Sequence, residues 1–128
     1  MFKEIPETTA TFDTVKVQMI HTEATSAARA AVAKMLDEWT ESTGGNEYGE
    51  PMYCGFAWVD VKERSNSKLG KALQSIGFRK SYQSGVLQLW DPAQHRGQSM
   101  DAKEVGAAAY AAVWREYGVN MHMGSRAD

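Results

Sequence analysis

Between Thr11 and His21 the chain alternates, with apolar Val15, Val17 and Met19 separated by polar Lys16 and Gln18. Period two of this kind predicts a half-buried strand. From about Thr25 to Glu41 the period lengthens. Ala28, Val32, Met35, Leu36 and Trp39 fall on one helical stripe, and Thr22 or Thr25 stands where an N-cap is expected. The polar, glycine-rich run ESTGGNEYGEP predicts a loop. MYCGFAWVDV, apolar and aromatic, predicts a central strand in which Gly55 marks a bulge or a close backbone approach.

The second half is patterned as clearly. Asn66 or Ser67 is placed to cap a short helix carrying Leu69, Leu73 and Ile76, with Gly77 at its left-handed end. Strands are predicted over about Phe78–Tyr82 and Val86–Trp90, joined by a glycine-containing hairpin turn and stopped by Pro92. Asp101 and Glu104 have capping-box spacing ahead of an alanine-rich helix that ends at Gly118. Val119, Met121 and Met123 then alternate with Asn120 and His122, predicting a last strand, with GSRAD ordered against the body of the domain. The order is β-α-β-α-β-β-α-β. It predicts one α/β (α+β) domain over residues 1–128: a two-layer sandwich with a mixed sheet of about five strands and three helices.

Composition narrows the class. The chain has 128 residues, 43% of them hydrophobic, which suits one ordinary core. A single cysteine excludes an intrachain disulfide and a cysteine-rich zinc site, and suits a reducing compartment. The opening MFKEIPETTA lacks an apolar run of signal-peptide length, and no segment is apolar for long enough to span a membrane. The expectation is a cytoplasmic protein without a membrane partner.

Charge changes the picture further. The formal net charge is -2, but it is unevenly spread. Residues 1–50 hold nine acidic and four basic side chains, residues 51–98 three acidic and seven basic, and residues 99–128 four acidic and three basic. The basic middle contains Lys62, Arg64, Lys68, Lys71, Arg79 and Lys80 around the start of the short helix, where free N–H groups and the helix dipole favour anions. Ser67 adds a hydroxyl there. Trp58, Tyr82 or Trp90 would stack on a base if solvent-facing. Neither a P-loop nor a dinucleotide fingerprint is present. The bland alternative is a solvated basic face.

Other candidates carry less. Cys54 would serve as a nucleophile only with a lowered pKa and a base, and its apolar neighbours predict a buried, structural thiol. His21, His122 and Asp128 would meet only if the first and last strands were neighbours. Glu47 and Glu50 lie in a long loop of the kind that carries binding, or simply face water. Arg126 in the tail suits a phosphate or carboxylate, or an ion pair with Asp101, Glu104 or Glu50 that pins the end. Trp39 and Trp114 fall on apolar helix positions and predict helix-to-sheet packing.

The segments CGFAWVDV, SIGFRKSYQSGVLQLW, QSMDAKEVGAAAYAAVWREYGV and GSRAD, spanning about Cys54 to Asp128, resemble small uncharacterised proteins encoded by phages. The resemblance carries no catalytic residue onto this chain. It implies an origin in a phage or a marine microbe, a location in the host cytoplasm, and action on host or phage nucleic acid or on a host protein.

The leading expectation is therefore a small non-enzymatic binding protein without a cofactor. It would contact nucleic acid or a phosphorylated small molecule through Lys62, Arg64, Ser67, Lys68, Lys71, Arg79, Lys80 and Arg126. One alternative is a protein-binding accessory or inhibitor factor of phage origin, open to homo-oligomerisation. Another is a small cysteine- or metal-dependent hydrolase or transferase, so enzymatic activity stays open.

Overall fold

The computed structural model describes residues 12–128. The reading of the opening MFKEIPETTA lies outside them. The chain runs α1 (Thr14–Thr43), β1 (Gly55–Lys62), α2 (Lys68–Ser75), β2 (Arg79–Lys80), β3 (Val86–Trp90), α3 (Met100–Glu116) and β4 (Met121–Ala127). Among the described residues the class is α+β, with three helices and a four-stranded antiparallel sheet in the order β2-β3-β1-β4.

The expected first strand does not exist. Asp13 caps α1 by accepting from the Lys16 N–H at 2.9 Å, and the helix runs 30 residues from there. Val17, Ile20, Ala24, Ala28 and Val32 form its buried stripe. Val17 belongs to both patterns, but Val15 is 68% exposed and Met19 67%, so the alternation around it was coincidental. With that strand gone, the sheet of the described residues has four strands rather than five, and it is antiparallel rather than mixed. From β1 onward the order β-α-β-β-α-β is the split β-α-β arrangement.

The rest follows the sequence closely. Ser67 caps α2, and Gly77 and Gly118 take positive φ after α2 and α3. The cap of α3 is Ser99, whose hydroxyl accepts from the Ala102 N–H, so Asp101 lies in the first turn instead of capping. Glu104 accepts from the Ser125 hydroxyl instead of closing a capping box. The tail extends β4 to Ala127, longer than VNMHM alone.

Strand β1 divides the molecule. Gly55, Ala57, Val59 and Val61 are buried and face the helices, joining Leu73, Phe78, Leu87, Tyr110, Trp114 and Met121 in the core. Phe56, Trp58, Asp60 and Lys62 point to the opposite face, which no helix of the described residues covers, here the helix-free face. Helices α1 and α3 meet closely at Gly106, where an added Cβ would stand 2.8 Å from Ala93 Cβ and 3.1 Å from Val32. The thin alanine-rich face of α3 permits that approach. Trp114 is fully buried in the core, whereas Trp39 is only half-buried.

Candidate nucleic-acid interface

The register assembles the helix-free face row by row. Trp90 of β3 stands opposite Trp58 of β1, which stands opposite Gly124 of β4. The next row reads Arg79, Gln88, Asp60, His122, and beyond Trp58 lies the pair Phe56 and Arg126. Period-two alternation alone puts these side chains on one side. Trp58 and Trp90 stack with ring centroids 4.8 Å apart and planes 25° apart, and Phe56 lies 5.9 Å from Trp90. Gly124 makes room for the Trp58 ring, since a Cβ there would lie 2.6 Å from the indole nitrogen.

Hydrogen bonds fix the rings. The Trp58 indole N–H donates to Asp60 Oδ2 at 3.1 Å, the Gln88 amide donates to Asp60 Oδ1 at 2.8 Å, and the Trp90 indole N–H donates to Gln88 Oε1 at 3.1 Å. This chain consumes the Asp60 carboxylate, so the one acid in the middle of the face holds the aromatics in place. Trp90 nevertheless stays 47% exposed.

Two open clefts meet at Trp90. One, of about 350 Å³, is bounded by Arg79 and Lys80 of β2 together with Gln88. The other, of about 590 Å³, is bounded by Arg29 of α1 and by His95 and Arg96 of the loop after β3, together with Asp91, whose carboxylate accepts from the His95 backbone N–H at 3.2 Å. Arg29 donates to the Gln94 side-chain carbonyl at 3.1 Å. Arg29, Arg79, Lys80 and Arg96 make no ion pair with a carboxylate among the described residues. The loop is a strained one: Asp91 and Gln94 both hold positive φ without being glycine, which costs on the order of 1 kcal/mol each. A buried tie secures it. Glu50 accepts from the Gln98 and Ser99 backbone N–H groups at 2.8 and 3.1 Å and bonds His95 Nε2. Burial alone would raise the Glu50 pKa. The His95 hydrogen bond, the two backbone donors and the His95 charge outweigh burial and hold it below the ordinary value.

The residues expected from sequence divide between surfaces. Arg79 and Lys80 flank Trp90. Lys62 is on the open face at the far end of β1, and Arg126 is at the near end beside Phe56. Lys68 and Lys71 belong to α2, which packs Ala72 and Leu73 into the helix-side core, and Arg64 lies in the preceding loop. Ser67 is already engaged: its hydroxyl accepts from the Gly70 N–H and donates to Glu63 Oε2 at 2.6 Å. A carboxylate of the chain itself thus stands at the start of α2. A larger cleft of about 640 Å³ near Lys62 and His122 also carries Asp60 and Glu63, so its carboxylates outnumber its one lysine.

Several readings need correction. Cys54 is exposed, not buried; it shares the outward parity of Phe56 and Trp58 and precedes the first residue of β1. Glu50 is a buried structural tie, not a solvent-facing charge, while Glu47 is exposed. His21 lies on α1, with its Nδ1 2.8 Å from the buried Tyr110 hydroxyl, so it does not meet His122 and Asp128 at neighbouring strands. Among the described residues no group of three His, Cys, Asp or Glu side chains is placed to hold a metal ion. Arg126 forms none of the ion pairs expected of it; Glu50 is bound to His95 and Glu104 to Ser125. Tyr82 is fully exposed at the β2–β3 turn, away from the stacked rings. Sequence reasoning missed Arg29, His95 and Arg96. The last two follow Trp90 within six residues and were legible as basic residues beside an aromatic strand end, but Arg29 arrives only through the packing of α1.

No helix among the described residues is long and apolar enough to cross a membrane. Comparisons with protein-family models, curated proteins and solved structures give no match to this chain.

Proposed function

We propose that this is a non-enzymatic single-stranded nucleic-acid-binding protein and that the helix-free sheet face is its binding surface. The observation that carries the reading is the position of Trp90. It is an exposed indole, backed by Trp58, with cations that make no ion pair among the described residues in the clefts on both sides. An unpaired base stacks on the outer face of such a ring, contributing about 1–3 kcal/mol. Arg79 and Lys80 on one side and Arg29 and Arg96 on the other then meet the backbone phosphates. Four-stranded antiparallel sheets that present strand aromatics to splayed bases use the same physics. Topology alone would carry no function; the aromatic and basic side chains supply the reason.

The test is an anisotropy titration with short single-stranded DNA and RNA oligonucleotides and with duplex DNA. Single strands should bind more tightly than duplex, because paired bases cannot stack on Trp90. Affinity should fall steeply with salt, and Trp90→Ala should weaken it roughly 5- to 150-fold. Absence of binding to any single strand at low salt would remove the reading. Sedimentation showing a dimer that shields Trp90 would assign the face to a second copy of the chain instead.

A further inference from the structure

We infer that Phe56, Lys103 and Arg126 form a phosphate-binding corner at the end of the aromatic face, a role that rests on the nucleic-acid reading above. Lys103 is a lysine on α3 that is only 8% exposed. Its ammonium donates to the Gly55 carbonyl at 3.1 Å and lies 5.4 Å from the centre of the Phe56 ring. Arg126, exposed on β4, places its guanidinium carbon 5.7 Å from the centre of the same ring. Neither cation makes an ion pair with a carboxylate among the described residues. The nearby acid Glu104 accepts from Ser125, and Asp128 pairs with neither cation.

Burying a cation without an anion is costly. A backbone carbonyl and a ring face offset part of that cost and leave the charge uncompensated. The exposed Arg126 adds a second positive charge at the same ring, and Phe56 touches Trp90. A phosphate drawn to this corner therefore lies beside a base stacked on Trp90, in reach of the same strand. Arg126 is the exposed, forked donor that contacts the phosphate. Lys103 stands behind it as a positioning charge, stiffening Phe56 and raising the local positive potential. Phosphate contacts carry no base information, so the corner adds affinity and fixes the path of the strand without reading sequence.

The experiment is an anisotropy titration of one single-stranded oligonucleotide over a salt series. It compares the wild-type protein with Arg126→Gln, Lys103→Met and Trp90→Ala, each checked for native fold by circular dichroism. Arg126→Gln and Lys103→Met should each weaken binding by a similar factor for oligonucleotides of different sequence. Arg126→Gln, which removes the phosphate contact, should also lower the slope of log affinity against log salt by about one, and Lys103→Met by less than one. A lysine with only a structural role would leave that slope unchanged. If Lys103→Met does not fold, the exposed Arg126→Gln carries the test alone. Oligonucleotide binding that Trp90→Ala weakens while Arg126→Gln leaves affinity and slope unchanged would overturn the corner and leave the stacking surface standing. No binding by the wild-type protein would overturn both.

Discussion

Trp58 and Trp90 stack across the β1–β3 pair, and their indole nitrogens are joined through one carboxylate and one amide, Asp60 and Gln88. Stacked aromatic pairs are common in cores, but this pair lies on the helix-free face, with Trp90 half in solvent. Holding a ring in its binding orientation before a ligand arrives removes the entropy cost of ordering it on binding. The hydrogen-bond chain therefore belongs to the same device as the rings.

That device is separable from stability. Gln88→Leu breaks the link between Asp60 and Trp90 and adds no charge. Unfolding free energy should change by about 1 kcal/mol or less, since Gln88 is only part-buried. Oligonucleotide affinity should fall several-fold, by roughly the 0.5–1.5 kcal/mol of a freed side chain, and less than in Trp90→Ala. Urea denaturation and anisotropy on the same samples check both statements. Unchanged affinity would show that the amide does not orient the ring.

Acid should destabilise the fold in two stages. Burial lowers the His21 pKa below its ordinary 6.5. The unfolded chain therefore takes up that proton first, and stability declines as pH falls below 6.5 until the folded ring is protonated too. Glu50 also has a lowered folded pKa, from an ordinary value of 4.5. Its contribution is complete above pH 4.5 and is lost as pH falls through the folded value. His21→Gln should flatten the upper stage. Glu50→Gln should cost about 1–3 kcal/mol at neutral pH, with the difference from wild type shrinking in acid. Denaturation midpoints across a pH series measure both.

Much of this fold was legible because its elements carry redundant signals. Ser67 capping α2, the hairpin turn before Val86 and the apolar, aromatic run of β1 each agree with their surroundings. The start of α1 was not legible. Its stripe continues as Ala24 and Ala28, which carry little hydrophobic weight, while Val15 and Met19 imitate a strand beside it. The basic middle segment looked like one patch because its residues are close in sequence. Between Lys62 and Lys80, however, the chain leaves the sheet for the helical layer and returns, so Lys68 and Lys71 part company with Arg79. The other half of the cation set comes from α1 and the loop after β3, and only tertiary packing supplies Arg29.

Cys54 provides a chemical check on the phase of β1. Its thiol is exposed and lies 3.5 Å from the Met52 carbonyl, a weak contact. A thiol reagent should label the native protein at a rate close to that of the unfolded chain, and Cys54→Ser should shift stability by no more than about 0.5 kcal/mol. Strong protection in the native state, read by mass spectrometry, would mean that the phase of β1 slips before Gly55 and turns the residue inward.

The tail closes the fold with its first half and the proposed site with its second. Val119 and Met121 are buried, and β4 pairs with β1 from Val61↔Met121 to Gly55↔Ala127. Deleting residues 119–128 removes two buried apolar side chains, about 1.5–3 kcal/mol each, and leaves the β1 edge unpaired. That approaches the whole stability of a typical domain, so the truncated chain should be unfolded or nearly so. Deleting only residues 124–128 removes no buried apolar side chain. It does remove the pairing opposite Gly55 to Trp58, the Ser125–Glu104 bond and Arg126. The fold should survive at a cost of about 1–3 kcal/mol. Oligonucleotide affinity should fall further than in Arg126→Gln, because Gly124 also lies beneath the Trp58 ring. Thermal unfolding and anisotropy of the two truncations decide the matter. A long truncation that melts with the full chain would refute the closing role of β4. A short truncation that folds and binds as tightly as the full chain would detach the tail from the site.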